Sequence, residues 1–182
     1  MAGEVSAVGV LTGEELAHEP FLRGMRKADL TRLATAGRRV TIPAAQRMCA
    51  EGRPADRFWL IDGGTVTVDR LLPDRCSIVE TLGPGSVLGW SWLFQPRRWA
   101  HGAVASTRVD AIEFDARLVR TLCAVDTALG YELTRRFAEL VVARLRAAGG
   151  FGGTTDQGSG TAVRHVRTLR MPGHRVDQAA DP

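Results

Sequence analysis

The sequence predicts an α+β fold in which an antiparallel β-roll, or jelly roll, is flanked by short N-terminal helices and a long C-terminal helix. Between residues 39 and 115 the apolar residues alternate with a period near two, and glycine and proline interrupt the runs. On both sides of that region the apolar residues recur at helical spacings. The change of period at both ends predicts one β domain bounded by helices.

Two short helices are predicted between Gly13 and Gly37. Thr12 and Glu15 have the spacing of a capping box, in which each side chain accepts a hydrogen bond from the backbone N–H of the other residue. The apolar residues that follow recur at helical spacings around Asp29. The residues with this spacing are Leu22, Met25, Leu30, Leu33 and Ala34.

Six strands are predicted in the central region because β-branched and aromatic residues alternate there between turn signals. Pro, Gly and Asp clusters mark the turns at 43–45, 62–64, 73–74 and 83–85. The predicted strands are 40–42, 57–61, 65–69, 77–81, 103–105 and 111–114.

After Asp115 the spacing predicts a short helix over 116–123 and a long one over 127–148. The long helix has one apolar stripe, which must be covered. Two covers are possible, the roll of the same chain or the same helix in a homodimer. The stripe consists of Leu129, Leu133, Phe137, Leu140, Val141 and Leu145.

The chain of 182 residues is long enough for one domain with a substantial core. We expect a flexible N-terminus over 1–12, the domain over 13–148, and a disordered tail over 149–182 that is rich in Gly, Ser and Thr and contains arginines. No apolar run approaches the roughly 20 residues of a membrane span, and the start lacks the pattern of a signal peptide. We therefore expect a cytoplasmic protein that does not bind membranes.

The net charge of +4 comes from arginine, since Lys27 is the only lysine. A basic balance supports weak attraction of anions and does not establish nucleic-acid binding, so direct, specific DNA binding is not expected. Cys49, Cys76 and Cys123 are odd in number and far apart, which favours reduced thiols over a disulfide framework or a metal site.

The segment from Gly85 to Phe94, together with Arg98, Trp99 and Ala100, is the candidate ligand site. Glycine lets backbone N–H groups approach a ligand, and a short helix beginning near Gly89 would direct its positive end at a phosphate. The candidate ligand-binding residues are Gly89, Trp90, Ser91, Trp92, Arg98, Trp99 and Ala100.

These motifs resemble the cyclic nucleotide-binding domain of the catabolite activator-like, or Crp/Fnr, regulators, with 85–100 in the place of the phosphate-binding cassette. The resemblance covers residues 19–148 and includes the apolar strand 58–61, the glycine turn 64–66 and the closing strands 105–115 in the expected order. It implies a β-roll that senses a cyclic nucleotide, with 127–148 as the helix that follows the roll.

The cassette departs from the family pattern at two positions. Trp90 stands where the family has the Glu that holds the ribose, and Trp99 stands where it has the Arg that holds the cyclic phosphate. An indole replaces neither contact, and losing two contacts to charged groups at about 1.5–3 kcal/mol each weakens binding at least about a hundredfold. Arg98 could return a guanidinium to the pocket if the loop shifted by one residue.

The resemblance implies no certain cofactor. The possible ligands are a cyclic nucleotide, cAMP or cGMP, or another flat anionic molecule stacked on the indoles. In the opposite interpretation the three tryptophans fill a retired pocket, and the sequence leaves both open.

The predicted function is a non-catalytic sensor or regulatory domain, without a DNA-binding domain of its own, that acts through a protein partner. The alternative is a transcription regulator of the catabolite activator type that reaches DNA through a partner. A cupin-like β-barrel enzyme is the third hypothesis. It is disfavoured because His18, His101, His165 and His174 are scattered, whereas such metal sites need clustered histidine and carboxylate ligands.

Overall fold

The computed structural model describes residues 6–7, 10–72 and 75–147. The tail predicted over 149–182, most of residues 1–9 and the turn at 73–74 lie outside these residues. The domain boundaries at 12 and 148 therefore stay predictions.

Within the described residues, nine strands form two antiparallel sheets, which confirms the predicted roll. One sheet has the order β1-β2-β9-β4-β7, and the other has the order β3-β8-β5-β6. The strands are β1 Ser6–Ala7, β2 Gly37–Ile42, β3 Arg47–Cys49, β4 Arg57–Gly63, β5 Val66–Leu72, β6 Arg75–Leu82, β7 Val87–Leu88, β8 Gly102–Ala105 and β9 Val109–Asp115.

All six predicted strands are present, and three further strands were not predicted. These are β1, β3 and β7, which contain two or three residues each. Their formation depends on pairing with distant segments, which a local alternation does not contain. β7 matters for the site because it pairs with β4 and leads directly into the cassette.

The helices lie where the periodicity predicts them. They are α1 Gly13–Ala17, a 3-10 turn Pro20–Leu22, α2 Lys27–Ala34, α3 Ala116–Val125 and α4 Thr127–Ala147. The capping box of α1 is formed, since Glu15 N–H donates to Thr12 Oγ1 and Thr12 N–H donates to Glu15 Oε2. Asp126 accepts hydrogen bonds from the first backbone N–H groups of α4 and so caps its start.

An aromatic cluster joins α4 to the roll. The ring of Phe58 on β4 lies 4.7 Å from that of Phe114 and 5.2 Å from that of Trp92. Phe137 of α4 packs edge-on against Phe58 and Trp92 at 5.4 and 5.3 Å. Buried rings in this geometry contribute area and edge-to-face attraction. The first half of α4 is therefore anchored in the domain core.

The roll of the same chain covers the first half of the apolar stripe on α4. Leu129, Leu133 and Phe137 are buried and Leu140 is partly buried against the core, whereas Leu145 in the last turns is 45% exposed. The cover expected from the chain's own roll is thus observed for the first half. A homodimer through the second half stays a prediction.

Candidate functional site

A cavity of about 510 Å³ lies between the cassette, the roll and the end of α4. Its floor is made by Cys49, Val68 and Gly102 of the second sheet, and the cassette forms one wall. The last turns of α4 form the roof, mainly with apolar atoms. The lining residues at the cassette and the roof are Leu88, Gly89, Trp90, Ser91, Trp99, His101, Val141, Arg144, Leu145 and Ala147.

Gly89 sets the shape of the cassette wall. It has a φ of 101°, a conformation that residues with a Cβ rarely adopt. A Cβ on Gly89 would lie 2.9 Å from Cζ3 of Trp99. The expected helix after Gly89 is a single 3-10 turn, Trp90–Trp92, which carries a much smaller dipole than an α-helix of several turns.

The Trp99 indole occupies the cassette wall as packed bulk. Its side chain is only 6% exposed, and its ring stacks on Trp59 of β4 with the ring centres 5.8 Å apart. Gly89 leaves room for its edge on the other side. Trp99 therefore closes, with an apolar ring, the position to which the resemblance assigns the phosphate-binding arginine.

A buried carboxylate supports Trp59 from behind. Glu113 on β9 is 7% exposed and accepts a hydrogen bond from Trp59 Nε1 at 3.0 Å. Its other oxygen accepts hydrogen bonds from Arg38 at 2.6 Å and Arg57 at 3.1 Å. This network fixes the ring on which Trp99 stacks, since a buried carboxylate with several donors has one preferred position.

Trp90 and Ser91, two of the predicted ligand contacts, line the cavity. Trp90 is partly buried, and its ring meets Phe94 edge-on at 6.2 Å. Ser91 is buried, and its Oγ accepts a hydrogen bond from the backbone N–H of Ala100 at 3.3 Å. The contact ties the two halves of the cassette together and leaves the Ser91 hydroxyl hydrogen able to donate.

Trp92 and Ala100 lie outside the cavity lining. Trp92 is fully buried in the aromatic cluster, and its Nε1 has no hydrogen-bond partner. Its place in the core explains why an indole is present, since the cluster needs a large ring between β4 and α4. The structure therefore does not bring these two residues to the cavity, and their role as ligand contacts stays a prediction.

Arg98 also lies away from the cavity. Its side chain is exposed, and Nη1 donates to the backbone oxygen of Gly52 at 2.8 Å. Its backbone pairs with Pro54 across an isolated bridge. The bridge directs Arg98 outward and Trp99 inward, so the Arg98 guanidinium does not line the cavity. Contact between Arg98 and a ligand stays a prediction.

The sequence interpretation missed an ion pair at the mouth of the cavity. Arg144 of α4 lies 3.3 Å from Glu80 of β6 and also donates to the backbone oxygen of Val87. Burial lowers the pKa of Arg144, and the Glu80 carboxylate partly opposes that effect. The sequence offered one signal for this contact. Arg144 lies three residues after Val141 and therefore on the face of α4 that carries the apolar stripe.

The polar groups of the floor are neutral near pH 7. Burial, and then the neighbouring Arg70, lower the pKa of His101. Burial raises the pKa of the Cys49 thiol to about 12, and this thiol lies 3.8 Å from the backbone oxygen of His101. A thiol with this pKa is not a nucleophile. The cavity thus presents one ion pair and neutral groups.

The structure is an antiparallel β-roll with a cavity that is roofed by a helix. Residues 39–126 match the model of the cyclic nucleotide-binding domain family, so this segment is similar to the domains of that family. The match extends from β2 to the end of α3 and includes the whole cassette.

Three relatives illustrate the similarity. The CRP-like cAMP-activated global transcriptional regulator of Mycobacterium tuberculosis is 28% identical over 126 residues, which cover 69% of this chain and 56% of that protein. A putative cyclic nucleotide-binding protein from Geobacter metallireducens superposes with a TM-score of 0.68 at 24% identity, over 74% of this chain and 98% of the other. This likeness shows the fold alone.

The third relative is an enzyme. A cAMP-binding acyltransferase from Mycobacterium smegmatis superposes with a TM-score of 0.59 at 25% identity, over 74% of this chain and 41% of that one. This chain also spans only about half of the curated mycobacterial regulators. The family model and these regulators nevertheless describe a mainly regulatory family.

No group of three or more His, Cys, Asp and Glu side chains within residues 10–72 and 75–147 could hold a metal ion. No helix in that part of the chain is long and apolar enough to cross a membrane.

Proposed function

We propose that this chain is a non-catalytic regulatory domain whose cavity binds a flat, largely apolar ligand in place of a cyclic nucleotide, and which passes its state to a protein partner through α4. The observation that supports the proposal is the cavity of about 510 Å³ that remains beside the buried Trp99. Indoles that had only filled a retired pocket would leave no such space. The size is that of an ordinary small-molecule site.

The lining favours a ligand with little charge. Arg144, the guanidinium at the cavity, is paired with Glu80, so the two charges largely cancel. An anionic ligand would have to displace Glu80 or bring an unpaired charge into apolar surroundings, which costs several kcal/mol. The partly buried Trp90 offers a ring face for stacking.

A cyclic mononucleotide lacks its usual contacts in this cavity. Trp99 fills the position that the family resemblance gives to arginine, and Arg98 lies on the outer side of the loop, bonded to Gly52. The Ser91 hydroxyl and the backbone N–H groups of the 3-10 turn are neutral donors. Such donors contribute about half as much as charge-assisted ones to binding a phosphate.

Helix α4 is positioned to report ligand binding. Its last turns contribute Val141, Arg144 and Leu145 to the roof, while Val142 and Leu145 remain exposed. Phe137 fixes the first half of the helix in the core. A ligand that contacts the roof can therefore change the last turns of α4 without disturbing the fold, and an exposed apolar face there suits a partner.

Calorimetric titration tests the choice of ligand. The protein is titrated with cAMP, cGMP and the neutral nucleoside adenosine, and with the neutral fluorophore N-phenylnaphthylamine followed by fluorescence. We expect saturable binding of the fluorophore at micromolar concentrations, and cyclic nucleotides weaker than about 100 µM. Binding of cAMP or cGMP tighter than about 1 µM would contradict the proposal.

Two valine variants on α4 localise the binding. Val141→Phe adds volume in the roof, whereas Val142→Phe adds the same volume on the neighbouring residue, which does not line the cavity. We expect Val141→Phe to weaken fluorophore binding at least about tenfold and Val142→Phe to leave it unchanged. Equal effects of the two variants would show that the fluorophore binds elsewhere.

The similarity to the mycobacterial regulators favours a second candidate, control of transcription through a DNA-binding partner. An electrophoretic mobility shift experiment at physiological salt tests this candidate. If it is right, the chain alone produces no site-specific shift in the mobility of DNA. A shift that appears with one DNA sequence and not with random DNA would show that the chain reads DNA itself.

A further inference from the structure

Most arginines with described side chains form an ion pair, and those that do not are concentrated on one surface. Paired arginines occur on α2, the sheets and α4. Outside that surface, Arg23 and Arg146 are the only arginines with described side chains that form no ion pair. The others make up what we call the arginine surface, namely Arg53, Arg97, Arg98, Arg117 and Arg120.

Backbone contacts bring these residues together from three segments. Ala55 N–H donates to the backbone oxygen of Arg97 at 2.8 Å, which joins segment 53–57 to the outer half of the cassette. Ala116 N–H donates to the backbone oxygen of Asp56 at 2.9 Å, which joins the same segment to the start of α3. Segment 53–57 thus lies between the arginines of the cassette and those of α3.

The guanidinium groups of Arg97 and Arg117 lie close enough to that of Arg120 to repel it. Burial, and then Arg97 and Arg117, lower the pKa of Arg120, while Asp115 and Asp56 oppose this. Asp115 already accepts hydrogen bonds from two backbone N–H groups of α3. Its charge is therefore only partly available to the arginines, and the surface retains an excess of positive charge.

Exposed apolar side chains accompany the arginines. Phe94 and Leu118 are each 40% exposed; Phe94 lies three residues before Arg97, and Leu118 follows Arg117. Guanidinium groups bind carboxylates with paired hydrogen bonds, and an apolar neighbour favours a protein segment over a phosphate chain. Asp56 and Asp115 on the same surface also disfavour the closely spaced phosphates of a nucleic acid.

We propose that the arginine surface binds an acidic segment of a protein partner that carries apolar side chains. The surface is the outer side of the cassette whose inner side lines the cavity, and Arg120 Nη1 donates to the backbone oxygen of Trp92 at 3.4 Å. The inference rests on the proposed function in that it supplies a second contact for the partner, in addition to the exposed face at the end of α4. It identifies that partner by its chemistry as acidic and amphipathic.

Fluorescence anisotropy with model peptides tests this surface. The probe is a fluorescein-labelled peptide of four Glu-Asp-Leu repeats, and the comparators are four Glu-Asp-Ser repeats and a single-stranded DNA of equal charge. We expect the leucine peptide to bind at least about tenfold more tightly than either comparator, with affinity falling as salt rises.

A charge-matched pair of variants assigns the binding. The double variant Arg97→Glu with Arg117→Glu is expected to weaken peptide binding at least about tenfold. The control is Arg23→Glu with Arg146→Glu, which changes the net charge by the same amount. This control is expected to weaken peptide binding by less than about threefold. Thermal unfolding checks that both variants remain folded. No saturable peptide binding below about 100 µM, tighter binding of the DNA, or an equal loss in both variants would overturn the inference.

The fluorophore separates this inference from the proposed function. N-phenylnaphthylamine is expected to bind Arg97→Glu with Arg117→Glu as it binds the wild type, because neither residue lines the cavity. If the wild type binds N-phenylnaphthylamine but does not bind the leucine peptide, only the inferred role of the arginine surface is refuted. Peptide binding without fluorophore binding would instead contradict the sensing function.

Discussion

Replacing Gly89 with alanine tests whether Trp99 is held as a packed wall of the cavity. Two costs follow from the structure. The φ of 101° places a residue with a Cβ in an unfavourable conformation, at about 1–2 kcal/mol. The new Cβ would lie 2.9 Å from Cζ3 of Trp99 and 3.3 Å from the backbone oxygen of Arg57, and such overpacking costs about 1–3 kcal/mol.

These costs together predict a loss of about 3 kcal/mol in the free energy of unfolding. For a chain of this length the melting temperature falls by about 6–12 °C. Thermal and urea unfolding measure the loss, and the near-ultraviolet circular dichroism of the stacked Trp59 and Trp99 reports whether the ring moves. We also expect weaker fluorophore binding, since the displaced indole can move only towards the cavity or off Trp59.

Gly52→Ala is the matched control. Gly52 also has a positive φ, 76°, but a Cβ there meets nothing within 4 Å. It therefore carries the conformational cost alone, about 1–2 kcal/mol, and should leave the tryptophan spectrum unchanged. Equal destabilisation by the two variants, with equal spectra, would refute the argument that Trp99 presses against Gly89.

Two further predictions concern the buried carboxyl group of Glu113 and the half-buried one of Glu19. Glu113→Gln is expected to destabilise the fold by about 2 kcal/mol because charge-assisted hydrogen bonds are lost. Urea unfolding measures the loss, with Glu14→Gln at an exposed position as the control. Equally small effects of the two variants would contradict the role of Glu113. Burial and the facing Asp62 raise the pKa of Glu19 to about 7. The unfolded chain therefore releases this proton at a lower pH than the folded protein does. As a result, the free energy of unfolding falls as pH rises from about 4.5 to 7. Glu19→Gln should flatten that decline in melting temperature, and an unchanged pH profile would show that Glu19 does not cause it.

The extent to which the fold could be predicted follows from the lengths of its elements. Six strands and four helices contain enough residues to show a period, and all were expected. The strands β1, β3 and β7 contain two or three residues each and depend on pairing with distant segments. Their formation is decided by tertiary contacts, which a local pattern does not contain.

The candidate site was predicted in part. Gly89, Trp90, Ser91 and Trp99 line the cavity, whereas Trp92, Arg98 and Ala100 do not. The loop at 95–101 has no regular period, so the direction of each side chain could not be deduced from its neighbours. The bridge between Pro54 and Arg98 decides that direction, and it joins segments far apart in the chain.

The two sides of the cassette show what each level of structure decides. The amino-acid sequence alone determined the β-roll, the long helix and the replacement of the expected Glu and Arg by indoles, because hydrophobic periods and residue types are local properties. Only the tertiary structure decided that a cavity remains beside Trp99, that Arg144 and Glu80 meet at its mouth and that the unpaired arginines gather outside. Those outcomes depend on how distant segments pack, since packing alone brings residues without sequence proximity into contact.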